Sequence, residues 1–311
     1  MHNLLSILFL TMGLISCSTY KIAERHLNGK MRSADLSLHY ETVASGATIE
    51  YWDSADSTKP ALLLVHGFGA TTKYQWYKQV KLLSKKYRVI APNLNYFGQT
   101  IPNEPNYTVA GQVETLEALL DHLNIDTCTL IGVSYGGLVS AEFAQKSDRT
   151  VSEMVLFDTP TKFADSSDIS KVKTYFDVPS IEELFVPSSP DGLNKLLYLA
   201  LGKEREIPAR LLEDFHQHSY EYNLQDKRKL ITSLLEDMEK YREQEYQFEM
   251  PILLIWGQED KVVPLETGVQ LKSYFGENAK LKVIEGAAHM PNMTHKREFN
   301  DLLEVFLAIP K

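Results

Sequence analysis

The chain changes character within a few residues around Ser134. Residues 127–131 read as a buried strand, Gly132-Val133-Ser134-Tyr135-Gly136-Gly137 sets one serine among three glycines, and a helical pattern runs over 134–145. A strand that stops on a glycine, turns through one serine and restarts as a helix leaves few folds open. The turn forces the serine into a strained backbone conformation, and the glycines are needed where a Cβ would meet the neighbouring strand and helix. This is the G-x-S-x-G nucleophile elbow, which lifts a serine hydroxyl above the edge of a sheet. Three fixed positions in five recur by chance, so the surroundings decide what the pattern means.

Those surroundings alternate. Residues 61–65, Ala-Leu-Leu-Leu-Val, form a continuous apolar run, the mark of a strand buried on both faces of a parallel sheet. Similar runs recur at 87–91, 127–131, 154–157, 252–256 and 281–284, with helical patterns at 75–84, 108–123, 134–145, 264–274 and 294–308. Ahead of them, 36–40 and 48–52 alternate apolar with polar residues, as in an antiparallel hairpin at a sheet edge. Strands alternating with helices of this length predict an α/β fold: a mostly parallel central sheet with helices on both faces and right-handed crossovers.

One interval breaks the alternation. Residues 162–248 carry helical and turn signals at 180–185, 191–199, 208–218 and 227–245, punctuated by Pro179, Pro187, Pro190 and Pro208, and no strand run. They read as a helical cap inserted into a core made of 36–161 and 249–311, placed over the carboxyl ends of the strands, where open α/β sheets bind ligands. Tyr175, Phe176, Phe185, Tyr198, Phe215 and Tyr220 either line a substrate pocket there or form the small core of the insertion.

Composition removes other classes. The 311 residues suffice for one large domain with an insertion, and 44% hydrophobic with 23% charged residues is ordinary for a globular chain. A net charge of -9, with no basic cluster carrying interleaved aromatics, argues against a nucleic-acid partner. Two cysteines cannot make a disulfide framework, and Cys128 falls in an apolar run as a buried thiol. His216-Gln217-His218 resembles a metal pair, but residues two apart on a helix face different ways and no third ligand is evident. No metal or organic cofactor is expected.

The N-terminus stands apart. Residues 4–15 are almost uninterruptedly apolar, too short to span a bilayer but suited to a signal-peptide core, and they end in Leu14-Ile15-Ser16-Cys17. That tetrapeptide resembles the lipobox of bacterial lipoproteins, although the segment before it offers His2 and no Lys or Arg. The resemblance implies a signal peptide over 1–16, a lipidated Cys17, a tether over 17–35 and a protein anchored to a membrane of the bacterial cell envelope. An ordinary cleaved signal and a secreted or periplasmic protein remain the alternative.

The serine needs a base, an acid to orient that base, and donors for an oxyanion. His289 follows the last apolar run in Gly286-Ala287-Ala288-His289, and Asp260 follows another in Gly257-Gln258-Glu259-Asp260. The chain order is thus Ser134, Asp260, His289, with Asp158 after run 154–157 as an alternative acid. The backbone N–H of Tyr135 and that of Phe68, in His66-Gly67-Phe68-Gly69 after run 61–65, are the oxyanion donors. Gly67-Phe68-Gly69 also invites a dinucleotide-binding reading, which fails at Thr72 in the third glycine position.

With these four segments in register, most of 36–308 resembles the α/β-hydrolase fold family, in its capped esterase/lipase form. The resemblance implies hydrolysis of a small-molecule ester with an apolar acyl group through an acyl-enzyme, without a cofactor. Two departures stand out: Pro92-Asn93-Leu94-Asn95-Tyr96-Phe97-Gly98 replaces an Asp-x-x-Gly-x-Gly loop, and Ala288 stands where Gly usually precedes the His. Ser134 argues against relatives that use a carboxylate nucleophile. A carbon–carbon bond hydrolase with a similar triad and a non-catalytic hydrolase-like ligand-binding protein stay open.

Overall fold

The apolar runs assemble into one sheet. The computed structural model describes residues 18–163, 166–204, 206–220 and 222–309. Its strands are β1 (Ser37–Thr42), β2 (Thr48–Asp53), β3 (Ala61–Val65), β4 (Arg88–Pro92), β5 (Thr127–Val133), β6 (Thr150–Phe157), β7 (Ile252–Gly257) and β8 (Ala279–Ile284). They lie in the order β1-β2-β4-β3-β5-β6-β7-β8. β1 and β2 pair antiparallel, β2 runs antiparallel to β4, and from β4 to β8 every pairing is parallel.

Burial on both faces explains the unbroken apolar runs. Along β3, Leu63 and Val65 join one core cluster while Leu62 and Leu64 join the other, because successive side chains point to opposite faces. α4 (Val109–His122), α5 (Ser134–Lys146) and α12 (Leu265–Phe275) cover the first face through residues such as Leu116, Phe143 and Leu271. On the second face lie α1 (Thr19–Arg32), α2 (Thr72–Trp76), α3 (Val80–Leu83), α13 (Pro291–Thr294) and α14 (Lys296–Phe306), with Met31, Trp76, Val80, Phe299 and Leu303 in the core. Each such buried aliphatic or aromatic side chain contributes about 1.5–3 kcal/mol.

Among the described residues, six helices lie between β6 and β7: α6 (Ser166–Tyr175), α7 (Ile181–Phe185), α8 (Pro190–Leu201), α9 (Ala209–Ser219), α10 (Leu224–Glu236) and α11 (Met238–Glu243). Among the described residues they include no strand, and they hold a core of their own that includes Leu184, Leu193, Leu199 and Ile231. Ser180 and Ser189 cap α7 and α8 by accepting from the N–H groups of Glu183 and Gly192 at 3.1 Å each.

Several expectations need correction. The tether expected over 17–35 is largely helix α1, docked on the fold: Leu27 and Met31 are buried, and Asp214 of α9 accepts from Ser18 Oγ, Thr19 Oγ1 and the Tyr20 N–H at 2.8, 2.6 and 2.7 Å. A stripe as narrow as Leu27 and Met31 disappears among the charges around it. The helices expected over 75–84 and 227–245 are each divided in two by turns at 77–79 and 237, and the one expected over 294–308 runs over 296–306, preceded by a separate short helix at 291–294. The expected signal peptide and Cys17 lie outside the described residues. Among those residues, no helix is long and apolar enough to cross a membrane.

Candidate active site

β5 ends at Val133 and α5 begins at Ser134 with no intervening residue. Ser134 has φ +50°, the left-handed region that a non-glycine residue enters only under constraint. Close approach supplies the constraint: a Cβ on Gly136 would strike the His66 and Val65 carbonyl oxygens, and one on Gly132 would come within 2.6 Å of the Gly136 oxygen. The serine therefore sits at a helix N-terminus, where the N–H groups of the first turn lack intrahelical partners and the helix dipole favours negative charge.

Parallel registry brings the other groups to the same edge. Val65 is level with Gly132, Val133 with Phe157, and Gly257 with Ile284, so the loops after β3, β5, β6, β7 and β8 all leave the sheet together. Asp260 and His289 meet there: His289 Nδ1 lies 2.8 Å from Asp260 Oδ2, with both side chains almost fully buried. The other carboxylate oxygen, Oδ1, accepts from the N–H groups of Val262 and Val263 at 2.8 and 3.1 Å. Three contacts thus hold the carboxylate while His289 Nε2 is left for other chemistry. The two loops are laced by backbone bonds, from Glu259 N–H to the Ala287 oxygen at 2.8 Å and from Gln258 N–H to the Ile284 oxygen at 3.1 Å.

Asp158, the alternative acid, lies near Asp260 and makes no hydrogen bond to His289 among the described residues. It is fully buried, accepts from the Gly257 N–H at 2.9 Å, and has its carboxyl pushed well above the usual range by burial and then by the charge of Asp260. Its carboxyl is thus biased toward the protonated form, a role that the sequence pattern did not signal.

The Phe68 loop presses on the elbow. A Cβ on Gly67 would stand 3.3 Å from the Val133 oxygen and 3.4 Å from Ser134 Cβ, and the Phe68 ring packs edge-on to Tyr135 at 5.6 Å. His66, fully buried, braces the loop: Nδ1–H donates to the Gly67 oxygen at 2.8 Å and Nε2 accepts from the Leu94 N–H at 2.9 Å. Burial lowers its pKa to about 4 and keeps it neutral. The departing loop Pro92–Gly98 contributes here as well, since Asn93 Oδ1 accepts from the Thr72 N–H at 2.8 Å. Sequence reasoning placed His66 in the oxyanion loop but missed that its ring and Asn93 tie that loop to the one after β4.

Ser134 and Tyr135 line a cavity of about 90 Å³ with an apolar wall that includes Ile181, Ile231, Leu234 and Val263. Of the six aromatics expected as pocket or insertion core, Phe185 lines this cavity, and Phe185, Phe215 and Tyr220 line a larger neighbouring one. Phe176 belongs to the core of the insertion, and the Tyr175 and Tyr198 hydroxyls pair with each other at 2.9 Å. His216 faces the Pro187 oxygen and His218 the Asp214 oxygen, at 2.9 and 2.7 Å.

The eight-stranded, mostly parallel sheet with flanking helices and a serine on a strand-to-helix turn define an α/β-hydrolase fold. The chain belongs to the α/β-hydrolase fold family, whose sequence model matches residues 60–296. It is 25% identical over 259 residues to a monoacylglycerol lipase of Mus musculus, covering 80% of this chain and 76% of the relative. Among solved structures it is similar to a membrane phospholipase A described as a bacterial virulence factor, with TM-score 0.80 and 22% identity over 98% of this chain and 96% of that one. It is also similar to the 2-hydroxy-6-oxo-6-phenylhexa-2,4-dienoate hydrolase of Rhodococcus sp. strain RHA1, with TM-score 0.72 and 18% identity over 88% and 99% of the two chains.

Proposed function

We propose that the protein is a serine hydrolase of carboxylic esters. The observation that carries this reading is the buried Asp260–His289 hydrogen bond at the same sheet edge as the strained Ser134. His289 Nε2 takes the proton of Ser134 as the hydroxyl attacks the ester carbonyl, and Asp260 holds the Nδ1–H tautomer and stabilises the imidazolium. The backbone N–H groups of Phe68 and Tyr135 receive the oxyanion. His289 then protonates the leaving alcohol and activates the water that releases the acid. The apolar lining beside Ser134 suits the acyl group. The lipase similarity supports ester chemistry, and no step needs a cofactor. Lipidation at Cys17 would anchor the enzyme to an envelope membrane.

The test is hydrolysis of a short-chain ester by the wild type and by Ser134→Ala and His289→Ala. Removing members of such a unit is expected to lower turnover by roughly 10⁴-fold or more, each alone and both together to a similar extent. Turnover that survives Ser134→Ala would reject the reading.

A further inference from the structure

The inserted helices reach the loop that carries Phe68. Phe68 stands between Gly67 and Gly69, and Gly69 has φ +90°, so the chain turns sharply just after Phe68. Glycine on both sides leaves this short stretch free to rotate unless outside contacts hold it. The core supplies one hold: the Phe68 N–H shares a peptide plane with the Gly67 oxygen, which accepts from His66 Nδ1–H at 2.8 Å. A second hold comes from the insertion, where the Tyr220 hydroxyl donates to the Gly69 oxygen.

Tyr220 is itself fixed. It sits in the turn between α9 and α10, and Lys227 of α10 donates to the Ser219 and Tyr222 oxygens that flank it, at 2.9 Å each. The same ammonium lies 5.7 Å from the centre of the Tyr220 ring, and the His216 ring stacks against that ring at 6.2 Å. Burial raises the pKa of the Tyr220 hydroxyl, which therefore keeps its proton and donates.

Two further side chains of the insertion close on the same loop. A Cβ on Gly69 would stand 3.3 Å from Leu196 Cδ2 of α8, and Phe185 of α7 packs edge-on to Phe68 with 6.2 Å between ring centres. The loop is thus gripped by the core at Gly67 and by the insertion at Phe68 and Gly69.

We propose that Tyr220 is a positioning residue: by holding the Gly69 oxygen it keeps the Phe68 N–H aimed at the oxyanion, so that the seated insertion completes a site the core alone leaves loose. The inference rests on the ester-hydrolase reading. Tyr220 also lines the large chamber beside the Ser134 cavity, about 820 Å³ in volume, so positioning has to be told apart from contact with substrate. A lost substrate contact raises KM, whereas a misplaced oxyanion donor lowers kcat and weakens ligands that carry an oxyanion.

The test is Tyr220→Phe, which keeps the ring and removes the hydroxyl. Turnover is read on p-nitrophenyl acetate, and inhibition with a small aliphatic trifluoromethyl ketone. In the ketone adduct Ser134 Oγ bonds to the carbonyl carbon, the serine proton passes to His289, and the carbonyl oxygen becomes the anion. The variant is expected to lower kcat by about tenfold or more, to leave KM within about twofold, and to weaken the ketone by about the same factor as kcat. An unchanged kcat, a loss carried by KM alone, unchanged inhibition by the ketone, or a variant that does not fold overturns the proposal. Hydrogen exchange adds a readout that needs no chemistry: peptides covering 66–70 should exchange about tenfold faster in Tyr220→Phe, while those from β5 and β6 keep the wild-type rate. Equal acceleration throughout, or none in the loop, overturns it as well. If the wild type neither cleaves the ester nor takes up the ketone, the hydrolase reading fails instead. Exchange then decides the clamp alone: acceleration confined to the loop upholds it, and its absence rejects it.

Discussion

His289 and Asp260 are joined at 2.8 Å in a site where both are almost fully buried, and the carboxylate is fixed from its other side by two backbone N–H groups. A buried carboxylate held this way orients the imbedded imidazole and favours the tautomer with its proton on Nδ1. Asp260→Asn is expected to lower kcat by roughly 10⁴-fold, because an amide can present a donor to Nδ1 and reverse the tautomer. Steady-state kinetics on a soluble ester checks this, and a loss under tenfold would contradict the role of Asp260.

Asp158 should behave differently despite its proximity. Burial and then the charge of Asp260 push its carboxyl well above the usual range, toward the protonated form that Asp158→Asn mimics in nearly the same shape. Turnover should stay within roughly threefold of the wild type, well short of the loss from removing the orienting acid. A collapse of activity in Asp158→Asn, with Asp260→Asn active, would exchange the two roles.

The elbow leaves no room for a methyl group at Gly136, where a Cβ would meet backbone oxygens of Val65 and His66. Backbone cannot rotate aside as a side chain can. Gly136→Ala is therefore expected to lose about 1–3 kcal/mol of stability or more, read from denaturant unfolding. A stability equal to the wild type would show that the β3 loop yields more easily than its packing implies.

His66 ties stability to acid. Its folded pKa of about 4 lies below the ordinary histidine value of 6.5, so the unfolded chain binds the proton more readily between those values. The stabilising contribution is complete above the unfolded value and is lost as pH falls through the folded one. The loss approaches about 3 kcal/mol between pH 6.5 and 4. In His66→Gln, unfolding measured at the two pH values should show a smaller drop than the wild type; an equal drop would mean that other groups carry the acid sensitivity.

Lys227 acts at the other end of the scale. Burial lowers its pKa from 10.5 to about 8, so the unfolded chain holds the extra proton between these values and stability rises with pH across that window. The wild type should gain on Lys227→Met as pH rises from 8 to 10.5, by an amount on the order of 3 kcal/mol at most. A constant difference between the two proteins would contradict a depressed lysine.

The sheet was legible because burial on two faces writes itself as unbroken apolar runs: every strand from β3 to β8 overlaps a run read in the sequence. The positions of Ser134, Asp260 and His289 were legible for a related reason, each following the end of such a run. Local patterns did not reveal contacts made across the chain. α1 is fixed by Asp214, 196 residues from Ser18, and its apolar stripe is too narrow to stand out. The raised pKa of Asp158 depends on where Asp260 is brought, and the bracing ring of His66 depends on the Leu94 N–H. The large chamber is lined from many separate segments, from Tyr20 to Met293, so none of them announces it alone.

The most direct measurement is covalent labelling with a fluorophosphonate, read by mass spectrometry of the digested protein. Attack requires an activated serine, so a single adduct on the peptide containing Ser134 is expected, absent in Ser134→Ala and strongly slowed in His289→Ala. An intact, folded protein that gains no adduct at Ser134, or labels equally well without His289, would contradict the assignment of Ser134 as the nucleophile.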